Sequence, residues 1–186
     1  MSQTRTVFKA VVFSLAGLVL VVVGVGLLLA RDWQVETVRV LRAPPALVEA
    51  LIRDLRNWEK WSAIEVDLGP QTARKVVGEA GPGQRVEWSG PLGKAVLTAT
   101  AVSASALDYT IGVTGEDAPS PVRGHLDWQA DGAGCRVRWV DEGSFANLLL
   151  RWFGWFGALQ ERIKQIHASG LSELQAQVET PPGAGK

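Results

Sequence analysis

The sequence predicts an α+β domain in which an antiparallel sheet wraps around a long C-terminal helix, preceded by one transmembrane helix. Three observations carry this. A charge-free apolar run opens the chain at 10–30. A series of short segments then alternates with period two between Gly- and Pro-rich turns. From Asn147 the apolar period changes to three and four residues.

The apolar run from Ala10 to Ala30 is rich in Val, Leu and Gly. At 1.5 Å per residue it reaches about 30 Å, the thickness of a bilayer hydrocarbon core. A cleaved signal peptide has a shorter apolar region, of roughly 7–15 residues, and small residues before the cut. Here Leu28 would occupy the −3 position. The expectation is an uncleaved, single-pass anchor over residues 10–31, after a short tail at 1–9. Arg5 and Lys9 place the N-terminus on the cytoplasmic side, with the domain exported (periplasmic in a bacterium), although Arg31, Arg39 and Arg42 weaken the charge asymmetry.

The soluble domain is expected over 32–178. Trp33 to Leu41 alternates as a strand, with Val35, Thr37, Arg39 and Leu41 on one face. Ala43-Pro44-Pro45 breaks it, and Pro suits a helix start. Leu47, Leu51 and Leu55, spaced by four with Val48 and Ile52 beside them, then mark an amphipathic helix. Two tryptophans three apart, Trp58 and Trp61, close it. A weak strand falls within 65–77. Clearer ones follow at 84–88, 95–102, 107–113, 122–129 and 135–140, each with one apolar face. Leu148, Trp152, Phe156, Leu159, Ile163, Ile166, Gly170 and Leu174 form the stripe of one long helix, with a bend expected near 154–157. The Pro/Gly tail at 179–186 is expected to be disordered.

Composition narrows the function. Nineteen basic and nineteen acidic residues balance, leaving no clustered positive charge for nucleic acid. One cysteine, Cys135, excludes an internal disulfide and a multi-cysteine metal site. Eight tryptophans against one tyrosine are unusual. Trp suits cores, ligand cavities and membrane interfaces.

The segment from Val35 to Ser62, with Ala43-Pro44-Pro45 and Trp58-Glu59-Lys60-Trp61-Ser62, resembles the opening of the SRPBCC (START-like) superfamily of polyketide cyclase/dehydrase-type proteins. Gly132 to Trp139 resembles their penultimate turn and last strand, and Phe145 to Leu174 their closing helix. Ala63 stands where members often carry Pro. The resemblance covers 33–178 and implies the helix-grip fold, with a deep cavity between sheet and long helix that holds lipids, sterols, polyketides or other hydrophobic ligands. It carries over no catalytic residue and implies no cofactor.

No catalytic or metal motif stands out in the residues themselves. His125, beside Arg123 and Asp127, reads as part of a solvated strand face, and His167 as a helix-surface or cavity-rim residue. Asp141-Glu142 reads as a solvated pair at a strand end. Two histidines and one cysteine, far apart, make no metal site, and there is no G-x-S-x-G.

The aromatic residues are more informative. Trp88, Tyr109, Trp128 and Trp139 share the apolar parity of their strands, and Trp152 and Phe156 the helical stripe; they fit a plain core or the lining of a ligand cavity. Trp58 and Trp61 read as packing for the short helices. In Arg151-Trp152-Phe153-Gly154-Trp155-Phe156 the aromatics cannot all face one core, because a helix turns 100° per residue. Arg151, Phe153 and Trp155 are candidates for contact with the bilayer surface or for gating a cavity mouth, against a thicker core or a protein contact. The leading expectation is membrane-anchored binding, or transfer, of a hydrophobic small molecule or lipid. The alternatives are a cyclase/dehydrase-like enzyme and a docking or regulatory module for another membrane protein.

Overall fold

The computed structural model describes residues 2–66, 68–114, 121–145 and 147–179, without the side chains of 2–12, Thr114 and Phe153. Helix α1 (Ser2–Leu28) leads into β1 (Asp32–Leu41), followed by α2 (Pro45–Ile52) and a single 3-10 turn at Trp58–Lys60. Six strands come next: β2 (Ala73–Val77), β3 (Arg85–Gly90), β4 (Gly93–Val102), β5 (Ala106–Thr114), β6 (Val122–Asp131) and β7 (Gly134–Ser144). Helices α3 (Leu148–Trp155) and α4 (Ala158–Glu179) close the chain.

The seven strands form one antiparallel sheet in the order β1-β7-β6-β5-β4-β3-β2. Successive hairpins build β2 to β7, and β1 returns to pair with β7 from Asp32↔Ser144 to Leu41↔Cys135. Alternation decides the inner face. Trp33, Val35 and Leu41 of β1, Leu126 and Trp128 of β6, and Cys135, Val137 and Trp139 of β7 are all buried. In β4, Ala95, Leu97 and Ala99 point inward. A register shift between Ala99 and Ala101 then lets Val102 pack on the same core despite its opposite parity.

Pro44 and Pro45 start α2, as the sequence predicts. Its inward residues are Val48 and Ile52, while Leu47 is exposed. The spacing-by-four stripe is therefore rotated by one position, and the helix stops before Leu55, which is buried in the following turn. Gln84 fastens this region to the sheet. It accepts from the Leu55 N–H at 2.9 Å and donates to Asp54 Oδ1 at 2.7 Å.

The closing helix is two helices. Gly157, at φ 73°, ends the first and redirects the chain. This resets the helical phase, so Phe156 does not continue the inward stripe and lies exposed at 72%. The buried face of α4 is Ile163, His167, Gly170, Leu171 and Leu174. Helix α4 runs on to Glu179, whose carboxylate accepts from the Arg42 N–H at 2.7 Å. The rest of the expected tail, 180–186, lies outside the described residues.

The expected membrane span at 10–31 falls within α1 and the residues after it. Among the described residues no helix is long and apolar enough to cross a membrane.

Candidate functional site

The space between sheet and α4, where a ligand cavity was expected, is occupied. Trp58 meets Trp61 at a ring separation of 5.2 Å and the edge of Tyr109 at 5.3 Å. Trp61 reaches Trp139 at 5.7 Å, and Trp139 stacks on His167 at 4.3 Å with only 15° between the planes. All five rings are buried. The sequence put Trp58 and Trp61 under the short helices; they also fill the centre of the grip. Four of the cavity candidates divide accordingly. Tyr109 and Trp139 belong to this aromatic block, Trp128 is buried in the same core, and Trp88 borders an open groove.

A polar chain runs through the block. Tyr109 donates its hydroxyl hydrogen to Asp141 Oδ1 at 2.6 Å and accepts from Trp139 Nε1 at 2.8 Å. Asp141 Oδ2 lies 3.0 Å from His167 Nε2, and His167 Nδ1 lies 3.2 Å from Thr37 Oγ1. Burial pushes the Tyr109 phenol well above its usual range, and the neighbouring Asp141 pushes it the same way. His167 was expected at the surface or at a cavity rim, and Asp141 in a solvated strand end. Both are buried. Strand β7 continues past Val140 to Ser144, so Asp141 keeps the inward parity of Cys135, Val137 and Trp139. His167 falls four residues after Ile163 on the inner face of α4. The histidine on the outer face behaves as expected: His125 is half-exposed between Asp108 and Asp127.

The groove beside Trp88 opens between the segment 58–66 and strands β2 and β3, with a volume of about 510 Å³. Trp58 and Trp88 wall it, with Ile64 and Val66 on one side and Arg74 on the other. A small extension of about 20 Å³ reaches inward to Val86 and Leu97. Arg74 is held at the rim by Glu59 at 2.9 Å and by the Leu55 carbonyl at 3.2 Å. The groove is thus walled by apolar side chains, with Glu59, Glu65, Ser62, Thr72 and Arg74 as its polar lining. Spacing alone did not reveal it, because Ile64 and Val66 sit in an irregular segment.

A second concavity, of about 670 Å³, lies where α1 ends and α3 meets α4. Phe145, Arg151, Trp155 and Phe156 line it, together with Leu29 and Lys164. Trp152 is half-buried against α1 rather than facing the sheet: a Cβ on Gly26 would come within 2.7 Å of Trp152 Nε1. Trp155 is exposed, and the Phe153 side chain lies outside the described residues. Among the described residues no three His, Cys, Asp or Glu side chains converge as a metal site requires.

An antiparallel sheet gripping a C-terminal helix defines a helix-grip protein. The chain belongs to the family described as Polyketide cyclase / dehydrase and lipid transport, which it matches over residues 32–179. No curated protein matches it. Among solved structures, a protein from Chromobacterium violaceum superposes with a TM-score of 0.55 at 20% identity, over 79% of this chain and 97% of the other. One from Thermobifida fusca gives 0.54 at 19% identity, over 78% and 92%. One from Bacillus halodurans gives 0.54 at 13%, over 81% and 100%. At such identities these three show the shared fold.

Proposed function

We propose that this protein is a membrane-tethered binding module for a hydrophobic small molecule or lipid, which it takes up in the groove walled by Trp58 and Trp88. The observation that carries the reading is that groove: apolar walls from Trp58, Trp88, Ile64 and Val66 opening to the surface, with Arg74 fixed at its edge by Glu59. The family's lipid-transport description supports the ligand class. The tether is α1. Its described apolar residues are exposed all round, including Phe13, Leu15, Leu18 and Leu20, and a helix that is apolar on every side belongs in a core or a membrane. Taken from Ala10 to Ala30 the sequence reaches the length of a span. Arg5 and Lys9 set the N-terminus inside and the domain outside.

The test uses the purified full chain, extracted with organic solvent and analysed by mass spectrometry, beside a Val66→Arg variant of unchanged circular dichroism. Bulk lipid around α1 will be common to both. A stoichiometric apolar species present in the parent and missing from the variant supports the reading. Identical extracts overturn the groove as the binding site.

The filled interior favours a second reading, a docking module for another membrane protein, and identical extracts would shift the weight to it. A cyclase-like enzyme is the weaker alternative, because Tyr109, Asp141 and His167 satisfy one another inside the core.

A further inference from the structure

Helix α3 carries two different apolar faces. Leu148 and Trp152, one turn apart, face α1: they are the side chains that a Cβ on Gly26 would strike. Leu149 and Phe156, seven residues apart and hence on one face, are exposed at 66% and 72%, and Trp155 beside them at 65%. The exposed surface is continuous with the end of α1, where Leu28 is 87% exposed. A soluble surface does not gather side chains of this size without a partner.

The position of Gly26 identifies that partner. It lies four residues before Ala30, where the apolar run stops, a rise of about 6 Å. A helix packed against Gly26 therefore lies about 6 Å to the acyl-chain side of the end of the run once α1 is inserted, within the roughly 5–10 Å that interfacial amphipathic helices reach. The same helix carries Arg151 beside the end of α1 and Trp152 packed on Gly26. Tryptophan and arginine favour this depth.

We infer that α3 is an interfacial foot, with Leu149, Trp155 and Phe156 seated at the headgroup–acyl boundary of the membrane that α1 enters. This rests on the proposed tether. The foot fixes the domain against the bilayer instead of leaving it to swing on a flexible linker. The adjoining concavity has Arg151 and Lys164 balanced by Asp32 and Glu161, so apolar burial supplies the attraction and neutral lipid suffices.

The experiment places nitroxide labels on the full chain reconstituted in phosphatidylcholine vesicles and reads their accessibility to oxygen and to a water-soluble nickel chelate. The labelled variants are Leu18→Cys, Phe156→Cys and Arg123→Cys; native Cys135 is buried and does not compete. The expected result is oxygen-rich surroundings at position 18, intermediate depth at 156 and water at 123. Position 18 in lipid with 156 in water overturns the foot while leaving the tether. Position 18 in water overturns the tether and the foot together.

Discussion

Tyr109 reaches Asp141 from two strands away. The residues belong to β5 and β7, and between them in the sheet lies Gly124 of β6, paired with Tyr109 on one side and with Asp141 on the other. The tyrosine ring crosses over this glycine, and its hydroxyl meets Asp141 Oδ1 at 2.6 Å. His167 closes the carboxylate from the α4 side at 3.0 Å. One carboxylate thus ties the middle of the sheet to the helix it grips. The low dielectric of the aromatic block makes each bond costly to break.

Removing these partners one at a time should give unequal losses. Tyr109→Phe leaves Trp139 Nε1 without an acceptor and Asp141 one donor short, a cost of about 1–3 kcal/mol. His167→Leu takes from the buried Asp141 its hydrogen-bond partner on α4 and removes the stack on Trp139 as well, and is expected to cost more, about 1–3 kcal/mol for the unmet hydrogen bond and about 0.5–1.5 kcal/mol for the stack. Urea unfolding of the full chain in mild detergent, followed by tryptophan fluorescence, measures both. Equal, small losses would show that the chain of bonds contributes little.

The tyrosine also sets an alkaline limit. Burial and Asp141 hold the folded Tyr109 phenol above its ordinary value, which is about 10 in the unfolded chain. The folded state then binds the proton more tightly. Its stabilising contribution is complete below the unfolded value and is lost as pH rises through the folded one. Tyr109 is the chain's single tyrosine, so phenolate absorbance reports this residue alone. Absorbance and circular dichroism should change together at high pH. A phenolate signal in the ordinary tyrosine range, with the dichroism intact, would contradict the sealed environment.

How far the sequence announces all this depends on the range of the interaction. The strands and the later part of the helical stripe, from Ile163 to Leu174, were legible because period two and period 3.6 are local; Leu148 and Trp152 instead meet α1, and Phe156 and Leu159 are exposed, because the break at Gly157 resets the phase. The bend near 154–157 was legible too, since Gly154 and Gly157 interrupt the run. What period could not supply was the partner across the grip. Asp141 beside Glu142 looks like a solvated pair, and His167 beside Ile166 looks peripheral, until β7 is extended by four residues and α4 is phased from Ile163. The inward parity of Cys135, Val137 and Trp139 points to Asp141, and that signal was available. The occlusion of the cavity was not, because it depends on Trp58 and Trp61 meeting Tyr109 and Trp139, residues up to 81 positions away.

Ala63 explains the departure from the family's frequent Trp-Ser-Pro pattern. It sits at φ 51° and borders the groove. Proline is locked near −65° and cannot take that conformation. Ala63→Pro is therefore expected to destabilise the chain by at least about 1 kcal/mol and to displace Ile64 and Val66. Ala63→Gly relieves a left-handed alanine and should gain up to about 1 kcal/mol, net of the entropy of glycine. Thermal unfolding of the two variants checks the sign. A proline variant as stable as the parent would mean that this segment does not need the left-handed turn.

Gly124→Ala is the sharpest test of the crossing. A methyl group there would fall inside the Tyr109 ring, so the ring must move away from Asp141 or the strands must part. Alanine suits a strand better than glycine does, so backbone preference alone predicts a small gain. The crossing predicts the opposite, a loss on the order of 1–3 kcal/mol from overpacking. In the double variant Gly124→Ala/Tyr109→Ala, which removes the ring, the alanine at 124 should cost almost nothing. That non-additivity, read from a double-mutant cycle of urea midpoints, separates a specific clash with Tyr109 from general damage to β6. Additive losses would place the cost of the methyl group elsewhere.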